Sequence, residues 1–182
     1  MSFDPSQYVL WSEEEIQKRV SELADQIGEN YTGERLYCLL ILRGSFMFGA
    51  DLVRKLQPKF KSLLVDFIRL SSYAGTSSTG DVKFHGPLPS VAGYDVLVIE
   101  DLMDTGLTLT TLHEALLAQG AASVKYAVLV DKTSRRESAM TPEFSAFDLK
   151  EDKYIVGYGM DAEGEMRALP YVAYVPPGME VH

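Results

Sequence analysis

Apolar positions along this chain follow two rhythms, unbroken short runs and a spacing of three to four, and the rhythms alternate. Leu36 to Leu42 is a continuous apolar run that predicts a buried strand. Val96-Leu97-Val98-Ile99 and Val124 to Val130 predict two more. Leu63 to Leu70 reads as a strand interrupted by Asp66 and Arg69, with Asp81-Val82-Lys83-Phe84 as a returning hairpin partner. Tyr154 to Tyr158 and Tyr171 to Val175 read as short late strands. Between these runs the helical spacing appears. Ile16, Val20, Leu23 and Ile27 share one face, opened by a capping box at Ser12 and Glu15 and closed by Gly28. Phe46 to Gln57 predicts a second helix, ended by Pro58. Leu109, Leu112 and Leu116 predict a third, with Gly120 as its stop. Strands alternating with helices indicate an α/β fold with an open, mostly parallel sheet flanked by helices. Ligands bind such sheets at the edge where the strands end, so four polar turns are expected to converge. They are Arg43-Gly44-Ser45, Glu100 to Thr108, Asp131-Lys132 and the segment around Asp161.

The second of these turns carries the most chemistry. Glu100 and Asp101 end the apolar strand, Asp104 follows, and Thr105-Gly106-Leu107-Thr108 leads into the third helix. A strand, a tight loop and a helix N-terminus leave outward N–H groups unpaired, which makes an anion site. Asp104 reads equally well as a helix N-cap or as a chemical group. Carboxylates crowded at one strand tip repel unless a cation or hydroxyl groups relieve them. The stretch therefore suggests a binder of a phosphorylated sugar. Ser71 to Gly80, mostly Ser, Thr and Gly, cannot build a core and reads as a mobile loop of functional length.

Composition narrows the picture without changing it. With 182 residues, 46% apolar, the chain is long enough for one well-buried domain, and no linker or repeat divides residues 1–182. A net charge of −9 argues against non-specific nucleic-acid binding, yet leaves local anion sites open. Cys38, the only cysteine, lies inside an apolar run and reads as an inert buried thiol. No disulfide can form within one chain, Met1 to Pro5 lacks a signal-peptide pattern, and no apolar stretch has membrane-spanning length; a cytoplasmic protein is expected. The chain has no Walker loop. Gly157-Tyr158-Gly159-Met160-Asp161-Ala162 matches a weak dinucleotide fingerprint, but Gly164 and Pro170 leave no room for the helix it needs. Asp104-Thr105-Gly106 occurs once, whereas aspartic-protease chemistry needs two such carboxylates. The three histidines show no metal-ligand spacing.

Val98-Ile99-Glu100-Asp101-Leu102-Met103-Asp104-Thr105-Gly106 resembles the phosphoribosyl-pyrophosphate signature of type I phosphoribosyltransferases. Over nearly its full length the chain is similar to the bacterial hypoxanthine(-guanine) branch of that family. The likeness runs in order through Leu42-Arg43-Gly44-Ser45, Ser72-Tyr73, the signature, Val130-Asp131-Lys132, and Tyr154 through Asp161 to Arg167. The resemblance implies a magnesium-dependent transfer of the 5-phosphoribosyl group from phosphoribosyl pyrophosphate to N9 of a 6-oxopurine. It assigns Glu100 and Asp101 to the ribose hydroxyls and magnesium, and the loop from Asp104 through Thr105, Gly106, Leu107 and Thr108 to the 5-phosphate. Asp104 would be the general base. Arg43, Gly44 and Arg167 would bind pyrophosphate, and Ser72 and Tyr73 would lie in a flexible lid. Lys132 would donate to the 6-oxo group, Tyr154 would stack on the purine, Ile155 would offer backbone groups, and Asp161 would hold a second magnesium. The family commonly has a non-proline cis peptide ahead of the glycine, at Leu42-Arg43 or Arg43-Gly44, and a small hood formed by the N- and C-terminal segments. It also commonly forms homodimers or homotetramers. Ala162 to Met166 lacks the aromatics common in the family's corresponding loop. The alternatives are a xanthine- or pyrimidine-directed transferase, or a non-catalytic regulator that senses phosphoribosyl pyrophosphate.

Overall fold

Two sheets carry the chain in the computed structural model, which describes residues 3–72 and 82–179. In chain order the elements are β1 (Val9–Trp11), α1 (Glu13–Asn30), β2 (Arg35–Leu42), α2 (Phe46–Leu56), β3 (Ser62–Ser72) and β4 (Val82–Phe84). They continue with β5 (Asp95–Met103), α3 (Leu107–Ala118), β6 (Ser123–Asp131), β7 (Phe144–Asp148), β8 (Tyr154–Val156) and β9 (Val172–Val175). The larger sheet has the order β4-β3-β2-β5-β6-β7, parallel except for β4. The smaller one, β1-β9-β8, is antiparallel.

Alternation along β2 and β5 explains how helices cover both faces. Leu36, Cys38, Leu40, Leu97 and Ile99 join one core cluster with Ile16, Val20, Leu23 and Ile27 of α1 and with Phe48, Leu52 and Leu56 of α2. Tyr37, Leu39, Val96 and Val98 join the opposite cluster with Leu109, Leu112 and Leu116 of α3. A parallel sheet covered on both sides needs such continuous apolar strands. Each fully buried Leu or Ile contributes roughly 1.5–3 kcal/mol of transfer free energy. Burial also pushes the Cys38 thiol up to about 12, consistent with an inert core residue.

The winding reverses between β2 and β5. From β2 the chain crosses through α2 to β3 on one side, while from β5 it crosses through α3 to β6 on the other. The carboxyl ends of β2 and β5 therefore flank a topological switch point, the usual place for a ligand crevice.

Several elements differ from the sequence reading. The acids do not end β5, which runs on to Met103 because Leu102 and Met103 still pair with Val130 and Asp131 of β6. α1 passes through Gly28 to Asn30; the glycine makes room there for the Lys59 side chain, which pairs with Asp25 at 2.6 Å. Pro58 lies inside a 3-10 turn, Gln57–Lys59, that extends α2. β1 and β7 were not anticipated, and Asp81 lies outside the described residues.

The small sheet is tied to the large one through Asp51 on α2. Tyr158 Oη donates to Asp51 Oδ2 at 2.5 Å, Gln17 Nε2 donates to the same oxygen at 2.7 Å, and Arg54 pairs with the other oxygen. Burial alone would raise the Asp51 carboxyl, but these donors outweigh it and hold the group below its ordinary value. Stability from the charged form is thus present above about pH 4 and is lost as pH falls through the lowered folded value. Asp51→Asn should cost roughly 1–2 kcal/mol at pH 7 and clearly less near pH 3, as read by urea denaturation at the two pH values.

Candidate active site

At the switch point a cavity of about 480 Å³ opens, within the roughly 300–1,000 Å³ usual for small-molecule sites. Its floor is the end of β5 and the following loop, with Glu100, Asp101, Asp104, Thr105, Gly106 and Thr108 all lining it. Arg43 and Gly44 line the β2 side, and Asp161 and Arg167 close the far side. Leu70 and Ser71 of β3 also face it. Leu107, Lys132, Tyr154 and Ile155 do not line this cavity. Ser72 closes the described part of β3, and Tyr73 lies outside the described residues.

Asp104 is not the N-cap of α3. Gly106 takes that position at φ +81°, with no side-chain cap bond, which leaves the Asp104 carboxylate to the cavity. Its Oδ2 lies 3.3 Å from Arg135 Nη1, and its Oδ1 is buried with no hydrogen-bond partner among the described residues. A buried acceptor oxygen without a partner is costly and calls for a donor. Burial pushes the Glu100 carboxyl well above its usual range, and the neighbouring Asp101 pushes it the same way.

The β2 side is built from backbone. The cis peptide lies at Leu42-Arg43, not directly before Gly44. A Cβ on Gly44 would fall 1.8 Å from Asp101 Oδ2, and one on Gly159 would fall 1.9 Å from the Gly44 carbonyl. Gly159 also sits at φ +108°, where L side chains are rare. Asp101, Gly44 and Gly159 are thus stacked at van der Waals distance, and no side chain fits between them.

Arg167, Lys132 and Arg136 are each paired with an acid. Arg167 binds Asp161 Oδ1 at 2.6 Å and donates to Gly159 O at 2.7 Å, while Gly164 N donates to Asp161 Oδ2 at 2.7 Å. Lys132 is buried rather than solvated, and its Nζ lies 2.5 Å from Asp152 Oδ1. Tyr154 is 54% exposed and ties its hydroxyl to Asp161 O at 2.8 Å, with Ile155 buried beside it. Arg136 pairs with Asp131. Burial raises the Asp131 carboxyl, and the guanidinium opposes that shift. Arg135, Arg136 and Asp152 were not singled out from the sequence; two adjacent arginines in the turn after β6 were the available signal.

Among the described residues no three His, Cys, Asp or Glu side chains gather into a metal cage. Magnesium seldom needs one, since it is usually held by one or two carboxylates plus water and substrate phosphates. Glu100 and Asp101, open to one cavity, supply oxygen donors of that kind.

The sequence profile of the phosphoribosyl transferase domain matches residues 12–163. The chain is 42% identical to the hypoxanthine phosphoribosyltransferase of Escherichia coli K12, over 92% of its own length and 94% of the relative's. It is similar to the crystal structure of a hypoxanthine phosphoribosyltransferase from Staphylococcus aureus, with a TM-score of 0.85, 37% identity, and 93% and 91% of the two chains covered. A hypoxanthine-guanine phosphoribosyltransferase structure from Bacillus anthracis also gives 0.85, at 38% identity, over 92% and 98%.

The backbone stack at the β2 side can be probed directly. Gly159→Ala should force the Gly44 loop and the 157–160 turn apart and lower stability by roughly 1–3 kcal/mol in urea denaturation. An unchanged unfolding midpoint would contradict the packing described.

Proposed function

The chain belongs to the phosphoribosyl transferase domain family, and we propose that it is a purine-salvage enzyme acting on hypoxanthine, guanine or both. It transfers the 5-phosphoribosyl group of phosphoribosyl pyrophosphate to N9 of the 6-oxopurine and releases pyrophosphate. The observation that carries this reading is one cavity lined by Glu100, Asp101 and Asp104, by the loop that opens α3, and by Arg43, Gly44, Asp161 and Arg167. The names of the relatives, hypoxanthine and hypoxanthine-guanine phosphoribosyltransferase, support it.

In this reading Thr105 to Thr108 receive the 5-phosphate with loop N–H and hydroxyl donors at the start of α3. Glu100 and Asp101 accept from the ribose hydroxyls. N9 attacks the anomeric carbon, the bond to the pyrophosphate oxygen breaks, and pyrophosphate leaves with the electron pair. Asp104, which lines the cavity, takes the N7 proton on its carboxylate. Lys132, held by Asp152, donates to the 6-oxo group and has no lone pair to accept from the 6-amino group of adenine. Tyr154 offers its exposed ring to the purine, and Ile155 its backbone groups. Arg43, Gly44 and Arg167 bind pyrophosphate, for which Arg167 must leave Asp161.

Glu100, Asp101 and Asp161 would hold magnesium, which when bound neutralises charge on the pyrophosphate. Ser72 and Tyr73 belong to a lid over the reacting centre. We place the enzyme in the cytoplasm, in keeping with a purine-salvage role; no helix among the described residues is long and apolar enough to cross a membrane. Assembly as a homodimer or homotetramer agrees with Leu64, Val65 and Phe67 lying exposed along β3.

With magnesium and phosphoribosyl pyrophosphate, purified protein should form nucleotide from hypoxanthine or guanine and almost none from adenine. Failure with every 6-oxopurine would sink the reading. Asp104→Asn should lower kcat by about 10²–10⁴-fold while phosphoribosyl pyrophosphate binding shifts by less than about threefold. Equal losses in both would make Asp104 a binding residue instead.

A further inference from the structure

A loop that turns its N–H groups toward an anion must find partners for its carbonyls on the other side. Three successive carbonyls of the β5–α3 loop are capped from behind. Asp104 O accepts from Arg136 Nε at 3.3 Å, and Thr105 O accepts from both Glu137 N and Ser138 N at 3.1 Å. Gly106 O accepts from Thr110 N and Thr110 Oγ1, each at 3.1 Å. Two of the three caps come from residues 136–138, a segment contributed by the turn after β6.

Arg136 holds that segment in place. Its side chain is 14% exposed, and its guanidinium uses all three nitrogens. Nε donates to Asp104 O, Nη1 donates to Met140 O at 2.6 Å, and Nη2 pairs with Asp131, the last residue of β6. One rigid fork therefore joins the loop, the strand end and the backing segment. Lys132 N adds a parallel tie by donating to Met103 O at 2.9 Å. Ser138 presses against the same loop from behind, since a Cβ on Gly106 would fall 2.2 Å from its Oγ.

We propose that Arg136 is a positioning residue for the 5-phosphate, holding residues 104–106 and their backing segment so that the loop N–H groups point outward. Arg136 touches no substrate. It acts through the carbonyls it and its neighbours cap, and its role rests on the phosphoribosyl-transfer reading of the site. The pyrophosphate side of the cavity, built from Arg43, Gly44 and Arg167, shares no hydrogen bond with Arg136 among the described residues.

The reverse reaction separates the two sides, because inosine monophosphate carries the 5-phosphate and pyrophosphate does not. In Arg136→Gln, KM for inosine monophosphate should rise about tenfold or more while KM for pyrophosphate stays within about twofold. Unchanged constants, or equal rises in both, would overturn the proposal, the latter by showing general damage. Should the glutamine variant fail to fold, Arg136→Lys carries the same test. Lysine keeps the charge beside Asp131 but cannot span both carbonyls, so the same one-sided rise is expected and the same two outcomes overturn it. If the unsubstituted protein shows no turnover in either direction, the phosphoribosyl-transfer reading itself fails, and this proposal with it.

Discussion

Parallel pairing of β2 with β5 is the contact on which the site depends. Tyr37 to Leu40 lie in register with Val96 to Ile99, deep in the sheet and covered on both faces. The chain leaves β2 toward one edge and β5 toward the other, which opens a crevice between their ends. The register then decides which residues meet there. Gly44 arrives against Asp101, and the loop after Met103 faces the loop after Leu42. Slipping either strand by one residue would turn every inward side chain to the wrong face, so the apolar core and the polar crevice are set by the same alignment.

Electrostatics at the crevice is a matter of local pairs. The protein carries −9, and four cations pair locally at this end of the sheet: Lys132, Arg135 and Arg136 in the turn after β6, and Arg167 on the cavity wall. Each is matched to an acid: Asp152, Asp104, Asp131 and Asp161. The pairs differ in how far they are desolvated. Arg136 and Asp131 are both largely buried, where breaking an ion pair is expensive, which suits a fixed strut. Arg135 with Asp104 and Arg167 with Asp161 are more exposed, where pairs are weak and readily exchanged for a ligand's charges.

Much of the frame was legible in the residues because periodicity and burial are the same fact seen twice. The apolar stripe of α1, the runs of β2, β5 and β6, and the leucines of α3 all occupy the core clusters. The failures share a cause, which is that tertiary pairing overrides local signals. Glu100 and Asp101 look like a strand end, but the ladder to β6 carries the strand past them. Gly28 looks like a stop, but Lys59 from another element lies over it. Asp104 has the composition of a cap, yet Gly106 supplies the left-handed turn from which α3 starts. β1 is three residues long and shows no period to read. Around the cavity, the acids and Arg43, Gly44 and Arg167 could be named from motif resemblance. Asp152 and Arg136 could not, because their importance lies in what they pair with, and a buried arginine looks like any other in a polar turn.

The stack of Asp101, Gly44 and Gly159 has an unusual kind of fragility. A contact between side chains is lost by removing atoms, and a side chain can shrink by degrees while its neighbours relax. At Gly44 and Gly159 there is nothing to remove, and only addition can break the contact. The spacing between the loop after β2 and the turn after β8 is set by the radius of bare backbone, which no rotamer can adjust. Widening the gap between these two loops therefore means moving whole backbone, the turn after β8 together with its Tyr158 anchor on Asp51, and not turning a side chain.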